Sequence, residues 1–151
     1  MMDAVAAPAR TLTVHKRYDA PPAELYAAWT TPEILDAWWG PAGFTTTVHR
    51  LEARPGGGFH FEMTAPDGSA VHMTGTYTEA DPGRRLAFAI TKHERCDGAA
   101  ADAADEVSRV TVTFATVGVG CEVTVVHEIL SGFVGAEQVW HQKLDRLAAV
   151  L

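Results

Sequence analysis

Cysteine is scarce in this sequence. Two residues, Cys96 and Cys121, among 151 are too few for a disulfide-stapled scaffold and point to free thiols in a reducing compartment. Basic residues are also few, with 12 Lys and Arg against 19 Asp and Glu, a net charge of −7. A protein that held phosphate backbones or anionic lipid would carry the opposite balance, so no nucleic-acid partner is expected. No apolar run approaches the roughly 18 residues of a membrane span. The first ten residues lack the basic start and apolar stretch of a secretory signal. These absences together predict a cytoplasmic protein. Asparagine is missing altogether, which fits a GC-rich coding sequence and bears on no function.

What is present argues for an ordered core: 47% of residues are hydrophobic and four are tryptophan. A chain of this length buries about two-thirds of its unfolded surface as one unit. We expect a loose leader at residues 1–10 and a single domain at 11–151. The organising stretch is the end of the chain. Phe133, Ala136, Trp140, Leu144, Leu147 and Leu151 recur at helical spacing and form one apolar stripe. Upstream, most segments alternate with period two, as strands do. A long helix with one apolar stripe needs a curved sheet to bury it, so the fold class is α+β.

In chain order, Thr11–Tyr18 reads as a first strand. Two short helices follow, Ala23–Trp29 and one from Pro32 to Trp38–Trp39, with prolines suited to their first turns and Thr30 or Thr31 as a cap. Strands are expected over Phe44–Ala53, Phe59–Ala65, the segment around Met73–Tyr77, the segment around Leu86–Ile90, Val107–Thr116 and Cys121–Leu130. Asp97–Glu106 is polar and alanine-rich and reads as a surface connection. In the hairpin around Pro66-Asp67-Gly68-Ser69, apolar matching pairs Phe59 with Tyr77, Phe61 with Gly75 and Met63 with Met73, across a loop of three or five residues. That register sets His60 and His72 opposite Thr76 and Thr64 on the outer face.

Strand, two short helices, six strands and a long helix make the helix-grip arrangement. The runs DAPPAELYAAWTTPEILDAWWGPAGF (Asp19–Phe44), EARPGGGFHFEM (Glu52–Met63), DPGRRLAF (Asp81–Phe88) and KLDRLAAVL (Lys143–Leu151) resemble bacterial relatives of the activator of heat-shock-protein-90 ATPase. That family belongs to the START-related superfamily, with polyketide cyclases and lipid-transfer domains. The resemblance implies a curved antiparallel sheet of six or seven strands and a deep cavity between sheet and terminal helix. It implies no single reaction.

The residues expected to line such a cavity are Trp39, Phe44, Phe61, Met63, Met73, Tyr77, Phe88, Val125, His127 and Trp140. His127 stands out as a polar group in phase with Val123, Val125 and Ile129 on an inward face. It is either a ligand contact or a core histidine held by a neighbour. Trp29 and Trp38 read first as anchors of the short helices. Seven histidines raise the question of a metal, but no H-x-x-H or C-x-x-C spacing occurs, so neither metal nor cofactor is expected. The glycine runs lead into strands and make no phosphate loop. Three readings stay open: a carrier of a small hydrophobic molecule, a cyclase- or dehydratase-type enzyme using His127 or Tyr77, and a chaperone-associated or self-associating module.

Overall fold

The computed structural model describes residues 10–40, 43–95, 108–129 and 136–151. Most of the expected leader, Cys96, the acidic connection and Phe133 lie outside the described residues. Ten elements follow in order: β1 (Arg10–Tyr18), α1 (Pro22–Thr30), α2 (Pro32–Trp38), β2 (Thr45–Leu51), β3 (Gly58–Thr64), β4 (Ala70–Asp81), β5 (Arg85–Arg95), β6 (Ser108–Val117), β7 (Gly120–Ile129) and α3 (Ala136–Val150).

The seven strands form one antiparallel, curved sheet in the order β1-β7-β6-β5-β4-β3-β2. Strands β1 and β2 are neighbours in sequence but occupy opposite edges. The α1–α2 bracket between them therefore has to cross the concave face, and it meets α3 there. This is the helix-grip fold.

Period-two burial places the core. On β6, Val110, Val112 and Phe114 turn inward; on β7, Cys121, Val123, Val125, His127 and Ile129 do so. In α1 the inward face is Leu25, Ala28 and Trp29, spaced three and four apart. In α3 it is Trp140, Lys143, Leu144 and Leu147. Leu151, expected on the same stripe, lies one residue past the end of α3 and is 43% exposed. Thr31 occupies the N-cap of α2 but makes no side-chain capping bond; Pro32 supplies the first turn instead.

The register of the β3–β4 hairpin corrects the sequence reading by two residues. Phe59 pairs with Gly75, Phe61 with Met73 and Met63 with Val71. Turn chemistry sets this. Asp67 Oδ1 accepts from the Ser69 N–H at 2.9 Å and its hydroxyl at 2.7 Å, and Gly68 adopts φ +92°. The resulting five-residue loop joins Thr64 to Ala70. Packing agrees with it. A Cβ on Gly75 would stand 2.0 Å from the Ala89 carbonyl oxygen and 2.5 Å from Phe59 Cζ. Glycine thus leaves the space into which the Phe59 ring packs, beside a bulge in the β4–β5 pairing.

Gly75→Ala should therefore destabilise the protein by at least about 2 kcal/mol, towards the upper range for overpacking a core. Urea denaturation checks this, and a loss below about 0.5 kcal/mol would contradict the close approach.

Candidate functional site

Four tryptophans meet under the bracket, and each arrives there for a local reason. Trp29 is the last inward position of α1. Trp38 closes α2, and its indole N–H donates to the Ala28 carbonyl at 3.0 Å, which locks the two short helices together. Trp39 is the C-cap of α2, where the backbone turns extended and swings the next side chain to the sheet. Trp140 comes from the stripe of α3. Trp29 stacks on Trp140, with centroids 6.0 Å apart and planes 24° apart, and meets Trp38 and Trp39 edge-on. Trp39 continues edge-on to Trp140, Phe61 and Phe88. Offset and edge-to-face pairs of this kind each contribute about 0.5–1.5 kcal/mol beyond burial.

Two cations of α3 fasten this cluster. The Lys143 ammonium lies 3.8 Å from the Trp39 ring centroid and 4.4 Å from that of Trp140, and the residue is 5% exposed. A desolvated cation over indole faces is worth about 2 kcal/mol. Arg146 donates to the carbonyls of Gly40 at 3.0 Å and of Trp39 and Ala37 at 3.4 Å each. A guanidinium there answers the open carbonyls at the end of α2.

His127 belongs to this framework. The Trp140 indole can only donate, and it does so to His127 Nδ1 at 3.0 Å. That leaves the proton of the neutral ring on Nε2, which donates to Ser108 Oγ at 3.0 Å. Both ring nitrogens are engaged, as in a core histidine held by its neighbours. Burial and the Asp145 charge raise the pKa of Tyr18, whose hydroxyl donates to the Leu144 carbonyl at 2.9 Å.

Between the bracket and strands β3–β5 lies a cavity of about 10 Å³, lined by Trp29, Leu35, Trp39, Phe59, Phe61, Tyr77, Leu86 and Phe88. It is close to the size of a single water. Trp29 and Trp39, which both line this wall, have indole N–H groups that are buried without a hydrogen-bond partner. Each such group costs about 1–3 kcal/mol in an apolar interior. Tyr77 also contributes to the wall, and burial pushes its phenol above the ordinary range.

Of the ten residues expected to line a cavity, the structure brings Trp39, Phe61, Tyr77 and Phe88 together here. Met63, Met73, Val125, His127 and Trp140 are buried in the core outside this wall, and Phe44 packs half-buried against that core. Trp29, read first as an anchor of the short helices, completes the wall together with Leu35, Phe59 and Leu86, which were not expected there. Phe59 and Leu86 share the inward alternation of Phe61 and Phe88, so that signal was in the sequence. Their depth beneath the bracket was not.

Over residues 19–151 the chain matches the family model described as Activator of Hsp90 ATPase homolog 1-like protein. Its fold is similar to a Chromobacterium violaceum protein solved by X-ray crystallography, with 29% identity, a TM-score of 0.79, and 92% of this chain and 94% of that one covered. A Mycobacterium smegmatis protein follows at 25% identity and TM-score 0.77, covering 93% and 90%. An Arthrobacter aurescens protein, at 21% identity and TM-score 0.80 with coverage of 97% and 91%, shares the fold. A search of the curated proteins found no match.

If the Trp140–His127 bond holds the site together, Trp140→Phe should cost about 1–3 kcal/mol by leaving the His127 acceptor unmet. The double variant Trp140→Phe, His127→Leu should cost less than the sum of the singles. Additivity within about 0.3 kcal/mol in urea denaturation would mean the two residues do not act as a pair.

Proposed function

The chain belongs to the Activator of Hsp90 ATPase homolog 1-like family, and on that premise we propose that it binds a small, largely apolar molecule inside the helix grip, beneath the α1–α2 bracket. The observation that carries this reading is the pair of unpartnered indole N–H groups, Trp29 and Trp39, in the wall of one aromatic cavity. A wall built only for stability would bury phenyl rings there or give the indoles partners, as it does for Trp38 and Trp140. Two unmet donors on residues that line a mostly aromatic and aliphatic wall suit a ligand with an apolar body and one acceptor oxygen. Burial of the body supplies most of the affinity, at roughly 25 cal/mol per Å², and the donors supply orientation. A ligand larger than water has to lift the bracket or turn an aromatic ring to enter.

An acid–base enzyme finds less support. The ionisable group in the wall is Tyr77, and burial disfavours the phenolate that a base would need. His127 has both nitrogens committed to Trp140 and Ser108. For the chaperone reading, the large apolar side chains exposed among the described residues are Val119, Val150 and Leu151. They make a small area for a partner surface. No described helix is long and apolar enough to cross a membrane.

Native mass spectrometry of the protein purified from its own cells should show a retained small molecule at one per chain. Trp29→Phe and Trp39→Phe should each weaken its rebinding by about 2- to 13-fold, the equivalent of one neutral hydrogen bond. Rebinding unchanged in both variants would overturn the assignment of the acceptor site.

A further inference from the structure

The corrected β3–β4 register has a second consequence, on the outer face of the sheet. It sets His72 opposite Glu62, where the apolar matching had placed a threonine. The neighbouring strand adds a third histidine through a bulge. Val48 pairs with Phe61 and Arg50 with His60, so His49 is the extra residue between them. Bulges of this kind re-aim a side chain. Here the His49 ring comes to lie over the same patch as His60 and His72.

The contacts are close. His49 Nε2 stands 2.8 Å from Glu62 Oε1, His60 Nε2 stands 2.7 Å from His72 Nδ1, and His72 Nε2 stands 3.8 Å from Glu62 Oε2. The ring centroids of His49 and His60 are 4.7 Å apart, those of His60 and His72 5.0 Å, and those of His49 and His72 6.2 Å. The side chains of His49, His72 and Glu62 are 41%, 25% and 29% exposed, so solutes reach them.

We propose that His49, His60, His72 and Glu62 bind a divalent transition-metal ion of the zinc class on the outer face of strands β2–β4. Three imidazoles and one carboxylate are a donor set that suits zinc. A tetrahedral ion about 2.0–2.1 Å from each imidazole nitrogen sets ring centroids about 5.2 Å apart, within the range spanned by the three separations here. As the rings stand, no three donors among the described residues are grouped for a metal ion; they are turned onto one another. The site requires the three rings to turn about their side-chain torsions until their nitrogens share one point. The carboxylate offsets part of the ion's charge. No sequence spacing advertises such a site, because its ligands come from three strands and meet only through the pairing register.

The test is isothermal titration calorimetry of zinc chloride into the tag-free, chelator-treated full chain, with cobalt(II) absorption as a second readout. The expected result is one ion per chain, with a cobalt spectrum of tetrahedral intensity and a melting temperature raised by zinc. His60→Ala and His72→Ala should each weaken binding at least about 30-fold, and Glu62→Gln about 10-fold. His15→Ala and His141→Ala should leave it unchanged. Far-UV circular dichroism identifies any variant that fails to fold, and His49→Gln, on the edge strand, then carries the same prediction. A wild type that binds no zinc, or zinc binding that survives loss of these histidines in folded variants, overturns the site.

Discussion

The contact between Trp29 and Trp140 is the one on which the interior depends. It joins the bracket to the terminal helix, two elements separated by most of the sheet in sequence, and both rings carry further contacts into the core. Trp140 donates to His127 and so reaches β7; with Trp39 it forms the aromatic floor beneath Lys143. Arg146, just under one turn further along α3, holds the carbonyl end of α2. The bracket is two short helices of nine and seven residues. Helices of that length are marginal alone in water, so packing against α3 and the sheet is what keeps them in place.

This arrangement explains how a small domain carries two buried donors with no partner. The cost falls in an interior already fixed by stacked and edge-on rings, a cation over two indoles and a guanidinium clamp. A looser interior would rotate Trp29 or Trp39 to find a carbonyl. Trp38 shows that a carbonyl is within reach of the bracket, since it bonds Ala28. The same site therefore combines rigidity from Trp38 and Trp140 with unmet hydrogen-bonding capacity from Trp29 and Trp39.

Most of the architecture was legible from periodicity. The alternation along β6 and β7 named every inward residue from Val110 to Ile129, and the helical spacing of Trp140, Leu144 and Leu147 placed the stripe of α3. The pairing of β3 with β4 was not legible in the same way. Like-with-like matching put Phe59 against Tyr77, but shape decided otherwise: a phenyl ring fits over a glycine, and the Asp67 turn holds the hairpin two residues away. That shift changes no inward face, so the core reading survived it. It changes which outer residues meet, which is why the three histidines on β2, β3 and β4 looked unrelated in the sequence. His127 illustrates the converse. Its inward position was plain from the pattern, but its role followed only from seeing Trp140 and Ser108 on its two nitrogens.

The central claim, that two of the four indoles are donors held ready for a ligand, is tested most directly by nitrogen-15 NMR of the tryptophan side chains. The four tryptophans give four indole N–H signals. The account predicts two signals, from Trp38 and Trp140, at hydrogen-bonded positions in ligand-free and ligand-bound protein alike. It predicts two more, from Trp29 and Trp39, at unbonded positions in ligand-free protein that move downfield when the retained small molecule is added back. Four hydrogen-bonded signals in ligand-free protein, or a ligand that leaves Trp29 and Trp39 unmoved, would contradict it.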